Sequence, residues 1–489
     1  MDQLVYIYDD KIRELDRIDF DIYGNREVRN SSVFGKDSQG IDIPDLYDNM
    51  EPKKGGLIDA RLGTTNNSLD CATCGMDTTN CVGHFGHIVL TDCVYHVGFL
   101  PSLKKILNCV CLGCSKLLVN NTIPEIATIL NHRSGKTRLN DIRTAVKNAT
   151  NCAHCGKPVA KIKIDAKKSS QTIQLFAETI TPEADDDNVV SKQKKKFLLT
   201  PDLCHAILSN ISDEDCVILG MDPKRSRPED LLYTIFPVPP VHIRPSVRAD
   251  PTTSVAMEDD LTHKIADIVK CNKRIIKYKE SSNEANLKYR QDHMCLLQYH
   301  VATYYDNETL TLPRSEQKGK SITALSTRLK GKTGRIRGFL EGKRGDFSAR
   351  TVITPDPYLD VNELAIPLDI AMNLTKPITV SKANIHELQT YVDNGRYIYP
   401  GANFYYPTNL AEINNISRQI DLRFKHSRIL LKVGDLVERH LINGDYVMFN
   451  RQPTLHKQSM MGHKIKVLLN PELQSFRMNP IVCTPYNAD

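Results

Sequence analysis

Residues 449–489 read FNRQPTLHKQSMMGHKIKVLLNPELQSFRMNPIVCTPYNAD. An Arg-Gln-Pro loop, a basic and methionine-rich segment, a strand-like run and a closing Asn-Ala-Asp follow one another with almost no spacer. Two-metal phosphoryl and nucleotidyl transfer needs clustered carboxylates, because a hard cation prefers charged oxygens and must offset charge on the phosphate in transit. Asp489 stands without companions and cannot do this alone. Arg451, Gln452, His456, Lys457, His463, Lys464 and Lys466 supply donors suited to phosphates and ribose hydroxyls. On composition alone the competing reading is a surface loop with scattered charge.

Working outward, residues 318–350 carry ten Lys/Arg against Glu341 and Asp346, a local excess of eight positive charges in a chain whose net charge is +6. One segment holds more than the whole surplus, which points to a polyanion partner there. Its core reads Arg328-Leu-Lys330-Gly-Lys332-Thr-Gly-Arg335-Ile-Arg337-Gly and then Gly342-Lys343-Arg344-Gly-Asp346-Phe347-Ser348-Ala349-Arg350. Glycines between cations let the backbone approach phosphates closely, so the pattern favours a sequence-independent grip over base reading. Gly319-Lys320-Ser321 imitates the end of a P-loop, but that motif needs Gly at position 314, which is Arg. An NTPase reading is rejected.

Fourteen cysteines in a chain without a signal-peptide pattern do not read as a disulfide framework. Cys71-Ala-Thr-Cys74 and Cys81-Val-Gly-His84 are two ligand pairs separated by six residues. Each two-residue gap turns both side chains toward one ion, and tetrahedral Zn²⁺ takes four such donors. His87 competes with His84, which restores the pair spacing. Cys111-Leu-Gly-Cys114 and Cys152-Ala-His-Cys155 form a second quartet across thirty-seven residues, with Cys109 and His154 as possible substitutes. Closing so long a loop costs entropy that grows only logarithmically. All ligands in both sets come from protein, so both read as structural sites. Cysteines 93, 204, 216, 271, 295 and 483 read as small buried hydrophobes.

With 489 residues, 40% hydrophobic and 25% charged, the chain suits two to four domains with real cores. No apolar run approaches the roughly 20 residues of a membrane span. Residues 164–200 show charge blocks, Asp185-Asp186-Asp187 and Lys194-Lys195-Lys196, and are expected to form a solvated excursion. Helical spacing returns at 198–219. Proline density at 236–247 predicts an extended, polyproline-like path. Leu261, Ile265, Ile268 and Ile275, then Leu297, Val301 and Tyr304, follow helical steps and predict a helical hairpin. Asn443-Gly444 between 435 and 449 predicts strand, turn, strand.

The words Asn450-Arg451-Gln452-Pro453-Thr454-Leu455-His456-Lys457, Ser459-Met460-Met461-Gly462-His463-Lys464 and Thr484-Pro485-Tyr486-Asn487-Ala488-Asp489 resemble the active-centre approach of the largest subunit of multisubunit DNA-directed RNA polymerases in the eukaryotic form, cellular or from a large DNA virus. The resemblance runs from about Gly55 onward and implies a mixed α+β multidomain chain. It implies a zinc-stabilised clamp core over 1–250, clamp helices over 251–306 and a rudder with the switch-two DNA-binding segment over 307–352. A dock region over 353–430 and the beginning of a double-psi β-barrel over 431–489 follow.

In that family Asn-Ala-Asp continues as Phe-Asp-Gly-Asp, and the three aspartates surround a catalytic Mg²⁺, of which Asp489 would be the first ligand. Arg451 and Asn487 would recognise the ribose hydroxyls of an incoming NTP, with Gln452 against the RNA–DNA hybrid. Arg328, Lys330, Lys332, Arg335, Arg337, Lys343, Arg344 and Arg350 would grip template DNA. The family usually has Val where this chain has Gly345, which adds flexibility to the turn.

The resemblance further implies a second-largest subunit and smaller subunits as partners, and initiation and elongation factors on the clamp helices. It implies a nuclear setting for a cellular protein, or host cytoplasm, viral factory or virion for a viral one. Two functions are weighed: a nucleotidyltransferase subunit completed by aspartates outside these residues, and a DNA-binding clamp protein without catalysis.

Overall fold

The computed structural model describes residues 22–35, 37–49, 51–66, 69–118, 135–147, 149–167, 172–184, 190–248, 256–280, 284–309, 312–407, 419–424 and 427–486. The chain divides into two units, Met1–Glu341 and Gly342–Asp489.

In the first unit, β-branched and aromatic residues make Gly86–Tyr95 (β1) a largely buried strand. It pairs antiparallel with Leu232–Val238, opposing Gly86 to Val238, His87 to Pro237 and Tyr95 to Leu232. The extended path expected over 236–247 is therefore a sheet strand as far as Val238, followed by a 3-10 turn at Val241–Ile243. Pro237 is tolerated because that strand pairs on one side only, and the missing N–H removes no ladder bond from a second neighbour.

After β1 comes helix Leu100–Leu107 (α1), which buries Leu100, Leu103, Ile106 and Leu107. Strands Lys161–Lys167 (β2), Thr172–Ala184 (β3) and Val190–Leu199 (β4) then form an antiparallel sheet with β3 central. The solvated excursion expected over 164–200 is corrected by this sheet. Ile162, Ile173, Leu175, Ala177 and Leu199 are buried in one core cluster with α1. The period of two was present in Lys161-Ile162-Lys163-Ile164, where lysines on the other face masked it.

Asp260–Glu280 (α2) and Glu284–Tyr305 (α3) are the predicted helical hairpin. Leu261, Ile265, Ile268, Ile275, Leu297, Val301 and Tyr304 are all buried, in one cluster with Ile88, Leu90 and Val94 of β1. Pairing between β1 and its partner is irregular from Val89 to Val94, and two buried carboxamides, one from each helix, serve backbone there. Asn272 accepts from the Thr91 N–H and donates to the Val89 carbonyl, each at 2.9 Å. Gln298 accepts from the Tyr95 N–H at 2.7 Å and donates to the Tyr95 carbonyl at 2.9 Å. Backbone groups left without these partners would cost about 1–3 kcal/mol each.

Among its described residues the second unit holds two sheets. Ile353–Pro355 (β5), Glu363–Pro367 (β6), Tyr446–Asn450, Met460–Leu468 and Phe476–Met478 make five strands. Pairings of β5 with Phe476–Met478 and of β6 with Met460–Leu468 are parallel; the others are antiparallel. Thr375–Thr379, Ala402–Tyr406, Ile420–Asp421 and Leu436–His440 form the other sheet, wholly antiparallel. The boundary drawn at 430/431 does not separate these sheets: 353–367 joins strands from 446–478, and 436–440 joins strands from 375–421. Nor does Asn443-Gly444 close a hairpin, since the strands before and after it belong to different sheets. The turn bonds instead to the strand Met460–Leu468, with Gly444 N donating to Ile465 O and Ile465 N to Asp445 O.

Asp445 holds the crossing between the sheets. Its carboxylate accepts two bonds from Arg439, at 2.7 and 2.9 Å, one from Lys376 at 2.9 Å and one from the Ile442 N–H at 3.0 Å. Burial pushes this carboxyl up, but Arg439, Ile442 and Lys376 outweigh burial and hold it well below the usual carboxylate range. Removing its charge strands a buried guanidinium, so Asp445→Asn is expected to lower stability by about 3–5 kcal/mol at pH 7 in urea unfolding. Because the folded carboxyl is depressed, the contribution is full above its unfolded value near about 4 and fades as pH falls through the folded value. The gap between wild type and variant should therefore narrow from pH 7 toward pH 2, and a gap that is small at pH 7 or unchanged by acid contradicts this account.

Candidate functional site

Three of the four ligand pairs share one backbone turn. The N–H of the residue four positions on donates to the first cysteine's carbonyl in Gly75→Cys71, Ser115→Cys111 and Gly156→Cys152, at 2.8–2.9 Å. Those three residues have φ of 67°, 57° and 68°, the left-handed value that lets the chain double back and bring the second sulfur beside the first. The N–H two residues after the first cysteine points at its sulfur: Thr73 N to Cys71 Sγ, Gly83 N to Cys81 Sγ and Gly113 N to Cys111 Sγ all measure 3.4 Å.

The ligand atoms of Cys71, Cys74, Cys81 and His84 lie within 4.8 Å of one another, as do those of Cys111, Cys114, Cys152 and Cys155. Donors about 2.3 Å from a tetrahedral ion sit about 3.7 Å apart. Cys81 Sγ to His84 Nε2 is 3.8 Å, Cys111 Sγ to Cys155 Sγ 3.5 Å and Cys114 Sγ to Cys152 Sγ 3.7 Å. Both quartets therefore could hold zinc. Burial pushes Cys152 up, yet the N–H groups of Cys155 and His154 outweigh it and leave the thiol at about 7. In contrast Cys111 is pushed up to about 12, first by burial. One thiolate forms readily while Cys111 resists, the condition a bound cation relieves.

His87 is excluded as a ligand. It is buried, its Nε2 lies 3.0 Å from the Ser38 carbonyl and its Nδ1 lies 2.6 Å from the Ser32 hydroxyl. Cys109 is buried in the core and His154 is exposed, and neither joins a quartet. Of the single cysteines, 204, 216 and 271 are buried as expected, whereas 93, 295 and 483 are partly exposed.

The basic segment divides by exposure. Every residue from 335 to 350 is exposed, and Lys330 and Lys332 are exposed too. Ile336–Glu341 forms a π-helical turn with no buried residue, and Arg335 stands over the Phe339 ring, 5.1 Å from its centre. Arg328 differs: its guanidinium is largely covered and pairs with Asp259 at 2.6 Å, a partner invisible at a sequence distance of 69. Gly319-Lys320-Ser321 lies in a small hairpin, Glu316–Gln317 with Lys320–Ser321, which agrees with rejecting a P-loop.

In the second unit, Arg451 donates to the Tyr486 carbonyl at 3.2 Å, and Gln452 is exposed. Tyr486, which is buried, has its hydroxyl 2.8 Å from His463 Nε2 and packs edge-on against Phe449 with ring centres 5.1 Å apart. Sequence reasoning had assigned Tyr486 no role, although it immediately precedes Asn487. Asn487 and Asp489 themselves lie outside the described residues.

The family model for RNA polymerase Rpb1, domain 1, matches residues 12–340, and that for RNA polymerase Rpb1, domain 2, matches residues 342–489. The chain belongs to the RNA polymerase Rpb1 family. The junction between the matched Rpb1 domains coincides with the division of the chain at 341/342. The DNA-directed RNA polymerase subunit 1 of Acanthamoeba polyphaga mimivirus is 46% identical over 491 residues, which covers 98% of this chain and 32% of that protein. The chain thus spans about a third of the length of this curated relative. No helix among the described residues of this Rpb1-family chain is long and apolar enough to cross a membrane.

Purified chain is expected to carry two zinc ions by elemental analysis. His84→Asn should retain one and His87→Asn both; the opposite order, or no zinc in the wild type, contradicts the assignment of the quartets.

Proposed function

We propose that the chain is the N-terminal portion of the catalytic largest subunit of a DNA-dependent RNA polymerase, and that its part is to hold template and hybrid beside the active centre. The observation that carries this reading is the exposed cationic run from Lys330 to Arg350 in an Rpb1-family chain. Lys330, Lys332, Arg335 and Arg337 in the first unit, with Lys343, Arg344 and Arg350 in the second, contact nucleic-acid phosphates. Their attraction requires no base reading, as a polymerase that transcribes any sequence needs.

The two quartets bind structural zinc and stiffen a clamp formed by the first unit. The hairpin α2/α3 corresponds to the clamp helices, on which initiation and elongation factors dock. In the second unit the antiparallel sheet belongs to the dock, and the five-stranded sheet begins the double-psi barrel. Arg451 and Asn487 orient the ribose of the incoming NTP, and Gln452 lies against the hybrid. Asp489 is a magnesium ligand, and the bound Mg²⁺ supplies charge neutralisation during phosphoryl transfer. The second-largest subunit, smaller subunits and aspartates beyond this sequence complete the enzyme, in a nuclear or viral transcription setting.

Binding to a 20-base-pair duplex should weaken steeply between 50 and 200 mM salt, with a log–log slope of about −0.9 per phosphate contacted. Lys332→Ala and Arg335→Ala should each reduce the steepness by about one and weaken binding equally across duplex sequences. A wild-type chain that ignores duplex DNA at 50 mM salt, or variants with unaltered slopes, would contradict the reading.

A further inference from the structure

We propose that Arg328 is a positioning residue that fastens the root of the basic segment to the first foot of the helical hairpin, at Asp259, and is not itself a phosphate contact. This inference rests on the reading of that segment as a nucleic-acid grip.

The root is the short helical turn Leu325–Leu329. Arg328 Nη2 lies 2.6 Å from Asp259 Oδ1, and Nη1 donates to the Ile243 carbonyl at 3.0 Å. Side-chain exposure is 15% for Arg328 and 18% for Asp259, against 64% for Lys330 two residues on. A phosphate could reach Arg328 only by displacing a close carboxylate from a covered site.

Both acceptors of Arg328 are themselves held. Asp259 Oδ1 also accepts from the Leu261 N–H at 2.8 Å, capping the start of α2. Next to Ile243, Arg244 is fully buried and donates to the Leu57 carbonyl at 2.6 Å and to Thr262 Oγ1 at 3.2 Å.

Two further aspartates grip the same root. Asp260, the first residue of α2, accepts from the Thr323 N–H at 2.9 Å. Asp306, just past the end of α3, accepts from the Ser326 hydroxyl at 3.1 Å and lies 4.0 Å from Lys330 Nζ. Beside it, buried Asn307 closes the loop by accepting from Ser315 N–H at 2.7 Å and donating to the carbonyls of Ser315 and Ile322 at 3.0 and 2.9 Å. Both ends of one hairpin thus meet the segment between Thr323 and Lys330, and a tilt of the hairpin carries Lys330 and Lys332 with it. Arg328 is spent on that joint: its charge is matched by Asp259 and adds no counterion release on DNA binding.

The test is a double-mutant cycle on the 489-residue chain with Asp259→Asn, Arg328→Gln and the pair together. Asparagine keeps an oxygen for the α2 cap while removing the charge. Duplex binding is measured across 50–200 mM salt, and hydrogen exchange of residues 323–330 is measured without DNA. Each single change is expected to weaken binding about fivefold with the salt slope of the wild type, and to speed exchange of the root. The double variant should be no worse than either single one, because both remove the same joint.

The proposal is overturned if Arg328→Gln lowers the slope by about one while Asp259→Asn leaves binding unchanged, or if the two losses multiply. A wild-type chain without duplex affinity refutes the DNA reading instead. The joint is then decided by exchange: equal acceleration in all three variants supports it, and unchanged exchange at 323–330 overturns it.

Discussion

Thiol donors brought within 4.8 Å of one another repel as soon as more than one becomes a thiolate, and a shared cation relieves that repulsion. The first unit is arranged around two such places. Cys81 and His84 immediately precede β1, the strand against which the hairpin is packed, and Cys152 and Cys155 precede β2, the first strand of the three-stranded sheet. Cys111 and Cys152 are buried in the same core as α1 and that sheet. The quartets thus sit just ahead of the first strands of two sheets. Three of the four pairs form with one left-handed residue each, at Gly75, Ser115 and Gly156.

From β1 the order passes outward through polar contacts as much as through apolar ones. Burial of one stripe on each helix places the hairpin, and Asn272 and Gln298 set its register by serving backbone groups at the irregular stretch of the strand. The hairpin's feet then present Asp259, Asp260 and Asp306 to the root of the basic segment. Arg328 is largely covered, whereas Lys330, Lys332 and 335–350 are exposed. This contrast separates an anchoring end from an exposed cationic end. In the second unit, the tie from Arg451 to the Tyr486 carbonyl and from His463 to its hydroxyl holds the last described residue before Asn487.

Features set by near neighbours were legible in the sequence. Ligand spacing found both quartets, and a helical period found every buried position named for the hairpin. What failed was set by distant partners or hidden by charge. Lysines on the outer face of β2 hid an alternating pattern whose inner face, at Ile162, is core. Asn443-Gly444 has hairpin chemistry, but its turn is claimed by Ile465, twenty-one residues after Gly444, so the flanking strands diverge into two sheets. Arg328 carries the same residue type and spacing as its exposed neighbours, and only folding brings Asp259 to it. His87 and His84 differ by their partners, Ser32 and Ser38 for one and Cys81 for the other, and the pair spacing of the sequence favours His84 too.

Lysine footprinting measures directly whether the basic segment meets nucleic acid. Brief acetylation of the chain, free and with duplex DNA at low salt, is followed by mass spectrometry of each lysine. Lys330, Lys332 and Lys343 are predicted to lose reactivity when DNA is present while Lys161, Lys195 and Lys196 of the three-stranded sheet keep theirs. Protection of the sheet lysines with the basic segment still reactive would contradict that contact.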